Sequence, residues 1–306
     1  ELIRLTIMKI LITGGTGLIG RALLQALYSG FDKPEVIVLT RDPVHGRGLV
    51  PAAVKLEQDL SKINFSELDA IVNLAGEPIV ERRWNEAQKQ RLCESRWRLT
   101  ERIVDKINQE CPEQRPIRFI SGSAVGFYGR QDTQIITEEF KKPFPEFSHV
   151  LCQRWEDIAS QAKPANTSIL RTGIVLSPQG GALKKMLLPF KLGMGGKVAS
   201  GEQYMPWIHI DDMVAGIIYL LKHPVLTGPY NMTAPHPVTN QIFSKTLAKT
   251  LGRPCIMPMP EFAINLLLGE MADLLVYGQN VVPQKLLDAG FHFTYPTLDK
   301  ALHHLL

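Results

Sequence analysis

The chain has little of several features that mark common protein classes. Four cysteines occur among 306 residues, and their spacing fits neither a metal site nor a redox pair. They are Cys93, Cys111, Cys152 and Cys255. We recognise no secretion signal, so we expect reduced thiols in a cytoplasmic protein. No apolar run is long enough to span a bilayer, so we expect no membrane-spanning segment. Because the cysteines lack the spacing of metal ligands, we expect no metal either.

Strong charge is also missing. The formal net charge is +4, which predicts no field strong enough to bind nucleic acid or a membrane surface. With 45% hydrophobic residues and no internal repeat, the chain can form one large domain or two unequal lobes. We expect a monomer or homodimer that acts on a small molecule. Residues 1–7 precede the first methionine and are expected to be a cloning remnant; native residues there would lengthen the first strand.

The most informative segment is KILITGGTGLIG, at residues 9–20. An apolar run breaks into glycines and then resumes with helical spacing, which predicts a strand, a tight turn and a helix. In this order, backbone N–H groups and the helix N-terminus can bind a pyrophosphate. The spacing is G-x-x-G-x-x-G rather than G-x-G-x-x-G, and the alternative is a turn that binds nothing. The expected cofactor-binding residues here are Gly14, Thr16, Gly17, Leu18, Ile19 and Gly20.

Strand-like and helix-like segments alternate through the first half of the chain. The predicted strands are 9–13, 36–40, 53–57, 69–74, 117–121 and 167–171, and the predicted helices are 18–29, 84–109 and 150–162. This alternation predicts an α/β fold with a doubly wound, Rossmann-type parallel sheet at 8–175. Ligands bind beyond the carboxyl ends of such strands. A smaller substrate lobe is predicted at 176–306, and the two lobes could interleave.

The end of the second strand predicts which cofactor binds. An acidic residue there would contact the ribose 2′-hydroxyl of NAD, whereas an arginine accommodates the 2′-phosphate of NADP. Here the strand ends in Thr40 and Arg41, and Arg47 could add a second charge. The neighbouring Asp42 weakens the argument, and a solvated Arg41 is the alternative. The sequence favours NADP(H), with NAD(H) as the alternative.

Other strand ends add candidates for the cofactor site. The fourth strand ends in small residues that allow close approach, which makes Leu74, Ala75 and Gly76 candidates. Ser121 closes the fifth strand and is included with them. Asp59 could contact the adenine or simply cap a turn.

The long helix at 84–109 contains one arginine where a leucine is expected. Arg96 falls on the apolar stripe of this helix, and a buried arginine needs a partner. It could pair with an acidic residue, or it could contact an anion in the active-site cleft as a substrate-binding residue.

The second lobe is richer in loops. The glycine-rich segment 193–206 could be a mobile lid or a long connection. Trp207 begins a short strand that ends at Asp211 and Asp212, one of which should cap the next helix. Trp207 and His209 are candidate substrate-binding residues at the mouth of this lobe. Helices are predicted at 213–222, 240–252, 261–277 and 297–306.

Together these motifs resemble the extended short-chain dehydrogenase/reductase family, which includes nucleotide-sugar epimerases and dehydratases. The resemblance rests on the glycine turn at 13–20, NLAG at 73–76, ISGSA at 120–124 with YG at 128–129, LR at 170–171 and WIHIDD at 207–212. It is closer still to an atypical branch, the YfcH-like epimerase-family proteins. That match rests on AGEP at 75–78, RW at 83–84, SR at 95–96, GSA at 122–124, and VP at 282–283 with AGF at 289–291.

The resemblance implies hydride transfer at the nicotinamide, with a Tyr-x-x-x-Lys pair moving the proton and a serine binding the substrate oxygen. Ser123 matches that serine, although one extra residue separates it from Tyr128. Anchoring on Glu156 puts Ser148 at the tyrosine position and Cys152 at the lysine position. Neither side chain can do the same chemistry.

The usual proton relay is therefore absent or replaced. The candidate catalytic residues are Ser123, Tyr128 and His149, each with a structural role as the alternative. Arg171 could pair with a carboxylate or with a ligand phosphate. The sequence predicts an NADP(H)-binding, nucleotide-sugar epimerase- or dehydratase-like oxidoreductase of unassigned substrate. The alternative is a non-catalytic NADP(H)-binding sensor or partner-regulated protein.

Overall fold

A single parallel sheet organises the fold. The structure is a computed structural model that describes residues 8–30 and 33–306, so the expectation for residues 1–7 lies outside the described residues. The strands are β1 (Lys9–Thr13), β2 (Glu35–Leu39), β3 (Lys55–Glu57), β4 (Ala70–Asn73), β5 (Ile117–Ala124), β6 (Ile135–Ile136), β7 (Ala165–Thr172), β8 (Ile174–Leu176), β9 (Tyr204–Met205), β10 (Trp207–His209), β11 (Gly228–Met232), β12 (Val238–Thr239) and β13 (Asn280–Val281).

Helices cover the sheet and build the second lobe. They are α1 (Leu18–Ser29), α2 (Pro43–Arg47), α3 (Glu86–Glu110), α4 (Phe147–Ala159), α5 (Gly181–Lys191), α6 (Ile210–Lys222), α7 (Asn240–Thr250), α8 (Glu261–Leu268), α9 (Asp273–Val276), α10 (Gln284–Asp288) and α11 (Leu298–Leu305). None of the helices in the described ranges has both the length and the apolar character of a membrane span.

The seven-stranded sheet has the order β11-β7-β5-β4-β1-β2-β3, and every neighbouring pair is parallel. The order reverses between β1 and β4, which is the switch point of a doubly wound fold. This confirms the predicted fold class, and all six predicted strands are present. The seventh, β11, was not predicted because it begins with Gly228 and Pro229, which are uncommon in strands.

Both faces of the sheet are covered by helices. On one face α1 and α6 pack in one apolar cluster, which includes Leu24 and Ile217. On the other face α3 joins a second cluster through Ile103, and α4 joins it through Ile158. The sheet is buried on both sides, as expected of a parallel sheet.

The second lobe packs around its own core of α5, α7 and α11. The chain returns from this lobe to the main sheet through α6 and β11. The predicted boundary between the two lobes, at residues 175 and 176, stays a prediction. The predicted helix at 261–277 is wrong as one unit, since it breaks at Gly269, whose φ is +59°. The helix predicted at 213–222 begins earlier, at Ile210.

The glycine-rich segment at 193–206 is a paired connection. The Ala199 N–H donates to the Met259 carbonyl at 2.9 Å, and the Met259 N–H donates to the Lys197 carbonyl at 2.9 Å. A Cβ at Gly196 would overlap the Met257 carbonyl, so the two segments lie in direct contact. This packing favours the connection over the mobile lid.

Candidate functional site

The turn after β1 lies directly against the loop after β4. Gly14 has φ +70°, and a Cβ there would stand 2.7 Å from the Leu74 carbonyl carbon. A Cβ at Gly20 would overlap the Gly14 carbonyl, so this glycine lets α1 approach the turn. Both glycines are required by packing within the protein. The loops at the switch point therefore meet, as the sequence predicts.

Gly17 has a different environment. The only described atom within 4 Å of a Cβ there would be the Gly14 carbonyl oxygen, at 3.2 Å. Gly17 is the N-cap of α1 without any side-chain cap, and the first turn of α1 has no acidic residue. Apart from this one close contact, a Cβ would project in front of N–H groups that no side chain caps. This cradle fits a pyrophosphate, which helix N-termini bind.

A buried polar network holds the two loops in place. The Thr13 hydroxyl donates to Asn73 Oδ1 at 2.7 Å and accepts the Ala75 N–H at 3.2 Å. Asn73 Nδ2 and Trp155 Nε1 both donate to the Thr100 hydroxyl at 2.9 Å. The network ties β1 and β4 to α3 and α4. The segment 74–76 is thus fixed against the glycine turn.

Arg41 is the cation that the fold leaves exposed beyond the end of β2. The Asp42 carboxylate accepts the His45 N–H at 3.0 Å and caps α2, so it is engaged away from a ligand. Arg47, the second predicted charge, donates to two backbone carbonyls in the following loop. The remaining arginine suits a phosphate at this strand end.

Hydrogen bonds and burial bear on two neighbouring predictions. The Asp59 carboxylate accepts the Ser61 N–H at 2.9 Å, so it caps a short turn. Ser121 is fully buried, and its hydroxyl lies 3.5 Å from the Gly122 carbonyl. This buried hydroxyl is not available to a ligand, so any contact of Ser121 with the cofactor would have to come from its backbone, and its cofactor role stays a prediction.

Behind β5 lies a buried ion pair. Arg171 on β7 donates to both carboxylate oxygens of Glu156 on α4, at 2.9 and 2.8 Å. The Ser123 hydroxyl donates to the same carboxylate at 2.7 Å. The sequence left the partner of Arg171 open, and the structure gives it a carboxylate. Because the Ser123 hydroxyl donates its hydrogen bond to Glu156, it presents lone pairs rather than a hydrogen to a ligand.

Tyr128 is a correction to the predicted catalytic residues. Its ring is fully buried, and its hydroxyl donates to Asn231 Oδ1 at 2.6 Å and accepts from Arg171 at 3.1 Å. Burial raises the pKa of Tyr128 to about 12. A phenol without access to a ligand cannot exchange a proton with it. Tyr128 is a structural link between β11 and the turn after β5.

The turn at Gly126 packs against the side chains at the family's tyrosine and lysine positions, of which Cys152 is buried and Ser148 half-buried. A Cβ at Gly126 would stand 3.1 Å from Ser148 Cβ and 3.6 Å from Cys152 Sγ. Cys152 is buried, which raises the pKa of its thiol to about 12 and keeps it neutral. The Ser148 hydroxyl donates to the Glu146 carboxylate at 2.9 Å. The turn with the extra residue packs against α4 at these two small side chains.

His149 is the half-buried histidine of this region. Its Nδ1 lies 2.6 Å from the Phe127 carbonyl. A carbonyl only accepts, so Nδ1 donates this hydrogen bond. The Phe127 contact therefore leaves Nε2 of His149 unused.

Arg96 is buried beside the loop after β4. It donates to the Leu92 and Glu77 carbonyls, each at 3.0 Å, and its guanidinium lies 5.3 Å from the Trp155 ring centre. A Cβ at Gly76 would stand 2.8 Å from Arg96 Cζ. No carboxylate in the described ranges lies within ion-pair distance of this guanidinium, so the predicted structural ion pair is wrong.

The structure corrects the predicted substrate roles of Trp207 and His209. Trp207 is fully buried, and its Nε1 donates to the His236 carbonyl at 3.2 Å. His209 is also fully buried, and its Nδ1 accepts the Asp211 N–H at 2.9 Å. The predicted aspartate cap is therefore wrong, since His209 caps α6. The Asp212 carboxylate instead accepts two N–H groups of the C-terminal segment.

His209 also belongs to a cluster with the geometry of possible metal ligands. Ligand atoms of His209, Asp211 and His304 lie within 4.8 Å of one another. His209 Nδ1 accepts a backbone N–H, so Nε2 carries the proton and donates to His304 Nδ1 at 3.0 Å. A neutral imidazole bonded this way has no free lone pair for a metal ion. Within this cluster the side chain of His209 caps α6.

Comparisons with known proteins agree with this geometry. A sequence model described as the NAD dependent epimerase/dehydratase family matches residues 10–232. The chain belongs to the NAD dependent epimerase/dehydratase family. A second model, described as a domain of unknown function, matches residues 259–305.

Named relatives of the same family cover almost the whole chain. An epimerase family protein SDR39U1 homolog from Arabidopsis thaliana is 37% identical over 98% of this chain and 87% of its own. An epimerase family protein from Mycobacterium leprae is 35% identical over 96% and 94%. The predicted resemblance to extended short-chain dehydrogenases and its epimerase-family branch is confirmed.

Solved structures give the same result. The human epimerase family protein SDR39U1, solved with NADPH, is 33% identical with a TM-score of 0.88, covering 97% of this chain and 99% of that one. A UDP-glucuronic acid 4-epimerase from Bacillus cereus shares the fold, with 17% identity, a TM-score of 0.75 and coverages of 97% and 98%. The NADPH of the human protein agrees with the cofactor that the sequence favours.

Sequence reasoning missed several residues that build the site. Glu156 served only to anchor the motif, and Thr100, Trp155 and Asn231 were not singled out. A polar residue on the buried stripe of α3 was a usable signal for Thr100. The partners of the others are brought together only by the fold.

The His209 cap predicts a specific pH dependence of stability. Burial lowers the pKa of His209 from 6.5 to about 4, so folding favours the neutral ring. That contribution is complete above pH 6.5 and is lost as the pH falls through about 4. The wild type should therefore lose unfolding free energy between pH 6.5 and about 4. We expect His209→Asn, which can still cap the helix, to lose on the order of 2 kcal/mol less than the wild type over this range.

Urea denaturation at several pH values measures this difference. His303→Asn, on the exposed side of α11, is the matched control and should follow the wild-type curve. Parallel pH curves for the wild type and His209→Asn would contradict the assignment.

Proposed function

We propose that this chain binds NADPH along the glycine turn and transfers a hydride between NADPH and a small substrate. The observation that carries the proposal is the open cradle at Gly17, with Arg41 beyond the neighbouring strand and no carboxylate taking its place. The NADPH in the human relative supports the choice of NADPH over NADH. An enzyme resembling the nucleotide-sugar epimerases and dehydratases, acting as an oxidoreductase, fits this family.

When bound, NADPH supplies the hydride. The chain must then supply a proton-carrying group, and Tyr128 and Cys152 are unsuited because their pKa values lie near 12. His149 is our candidate, since the Phe127 contact uses only Nδ1 and leaves Nε2 for a ligand. Ser123, held by Glu156, would accept a hydrogen bond from a substrate hydroxyl.

A second candidate function is an NADPH-binding sensor without catalysis. The observation that favours it is the packing of Ser148 and Cys152 under the turn at Gly126, where the family's proton relay should stand. Under this reading the cofactor cradle is used for binding, and the covered face of α4 needs no access to a substrate.

Deuterium transfer distinguishes these functions. The purified protein is incubated with NADPH deuterated at C4 and with a small-molecule cell extract, and the label is followed by mass spectrometry. We expect deuterium to appear in a metabolite, which would also identify the substrate. Gly17→Val is the control, because its side chain would occupy the cradle in front of the α1 N-terminus.

The outcomes separate cleanly. Label in a metabolite with the wild type but not with Gly17→Val supports hydride transfer. No labelled metabolite, with NADPH demonstrably bound, contradicts net transfer. It would favour the sensor, or an epimerase that returns the hydride to the same molecule.

Arg41→Glu tests the cofactor preference. Reversing this charge should weaken the binding of NADPH by about tenfold or more, because a charge-assisted hydrogen bond to the 2′-phosphate is replaced by a repulsion. NADH lacks that phosphate, so its affinity should change by less than about threefold. Cofactor fluorescence titrations measure both, with the exposed Arg253→Glu as the charge control. Equal losses for the two cofactors would contradict the 2′-phosphate assignment.

A further inference from the structure

Arg96 is a buried cation whose hydrogen bonds are incomplete. Only 8% of the residue is exposed, and its Nε is buried without an acceptor. Its two terminal nitrogens donate to the Leu92 and Glu77 carbonyls and to the Ser95 hydroxyl. A buried guanidinium normally uses its donors fully, since an unsatisfied charged group is costly.

The other buried arginines of the described chain show what a complete set looks like. Arg171 is neutralised by Glu156. Arg118 also lacks a carboxylate partner, but all three of its nitrogens donate to protein acceptors. Arg96 has neither a counter-charge nor a complete set of acceptors. Burial accordingly lowers the pKa of Arg96.

The position of Arg96 places this charge at the ligand-binding edge of the sheet. Its guanidinium lies under Gly76, directly beyond the end of β4. On its other side the Arg96 Cζ lies 5.3 Å from the ring centre of Trp155 on α4. The charge therefore lies between the loop after β4 and the face of α4 that carries Ser148.

We propose that Arg96 is the cation of a second anion subsite, which binds a carboxylate or phosphate group of the substrate. The inference rests on the proposed function, in which the cofactor phosphates occupy the α1 cradle and Arg41. An oxyanion group is the class of ligand expected, because two acceptor oxygens can take the Nε–H and the second N–H of Nη2 together.

Binding of simple oxyanions tests this subsite. Inorganic phosphate and succinate are titrated by calorimetry into the protein, first alone and then with NADPH present. We expect Arg96→Gln to lower the affinity for phosphate or succinate by roughly tenfold or more, and to leave the affinity for NADPH within about threefold of the wild type. Arg96→Lys should bind at an intermediate level because it keeps the charge but loses the planar fork.

Arg98→Gln is the matched control on the same helix. The Arg98 side chain is 71% exposed and pairs only with Glu94, so its loss should change neither titration. Equal probe binding by the wild type and Arg96→Gln would overturn the proposal. So would a loss of NADPH affinity larger than the loss of probe affinity, because Arg96 would then serve the cofactor.

Arg96 also holds the Glu77 carbonyl, so a second measurement uses the unaltered protein. The Nε–H resonance of Arg96, assigned through its own side-chain carbons, should shift when either probe is added. An unshifted resonance at saturating probe would overturn the proposal even if the variants fail to fold. Failure of NADPH to bind would instead contradict the proposed function, and the titrations without NADPH would still decide the subsite.

Discussion

The centre of the molecule depends on the buried ion pair between Glu156 and Arg171. It joins α4 to β7, accepts the hydrogen bond of the Ser123 hydroxyl and reaches β11 through the hydroxyl of Tyr128. Removing one partner would leave a buried charge unpaired, at a cost of about 3–5 kcal/mol. Such a network fixes its members in one arrangement. It explains why Tyr128, the phenol nearest to Ser123 in sequence, is part of the frame rather than a proton donor.

The two halves of the cleft have different physical characters. The cofactor half is open and is held by backbone contacts and a satisfied polar network, with Thr13 and Asn73 at its centre. The other half is tightly packed where Ser148 and Cys152 meet the turn at Gly126. A binding cradle can therefore be retained while the acid–base pair beside it is replaced, because the two rest on different contacts.

The sequence predicts what depends on local pattern. Alternating apolar segments and the glycine turn were enough for the sheet, its switch point and the cradle. Burial of a single polar side chain depends instead on partners distant in the chain. His209 and Trp207 could not be assigned from their neighbours, since the C-terminal segment and the carbonyl at 236 reach them only in the fold. Arg96 stands between these cases: its stripe position predicted burial, but the absence of a carboxylate required the structure.

The extra residue before Tyr128 and the small side chains of α4 are best understood together. A Cβ at Gly126 would stand 3.1 Å from Ser148 Cβ, so the turn packs closely against this face of α4. Side chains as large as tyrosine and lysine at positions 148 and 152 would need the space that the turn occupies. With Cys152 in place of a lysine, α4 brings no positive charge here, whereas α3 brings the guanidinium of Arg96 to 5.3 Å from the Trp155 ring centre. The electrostatic effect of a charge depends on its position in space and not on its place in the chain, so this cation can act on a ligand of the cleft although it comes from another helix.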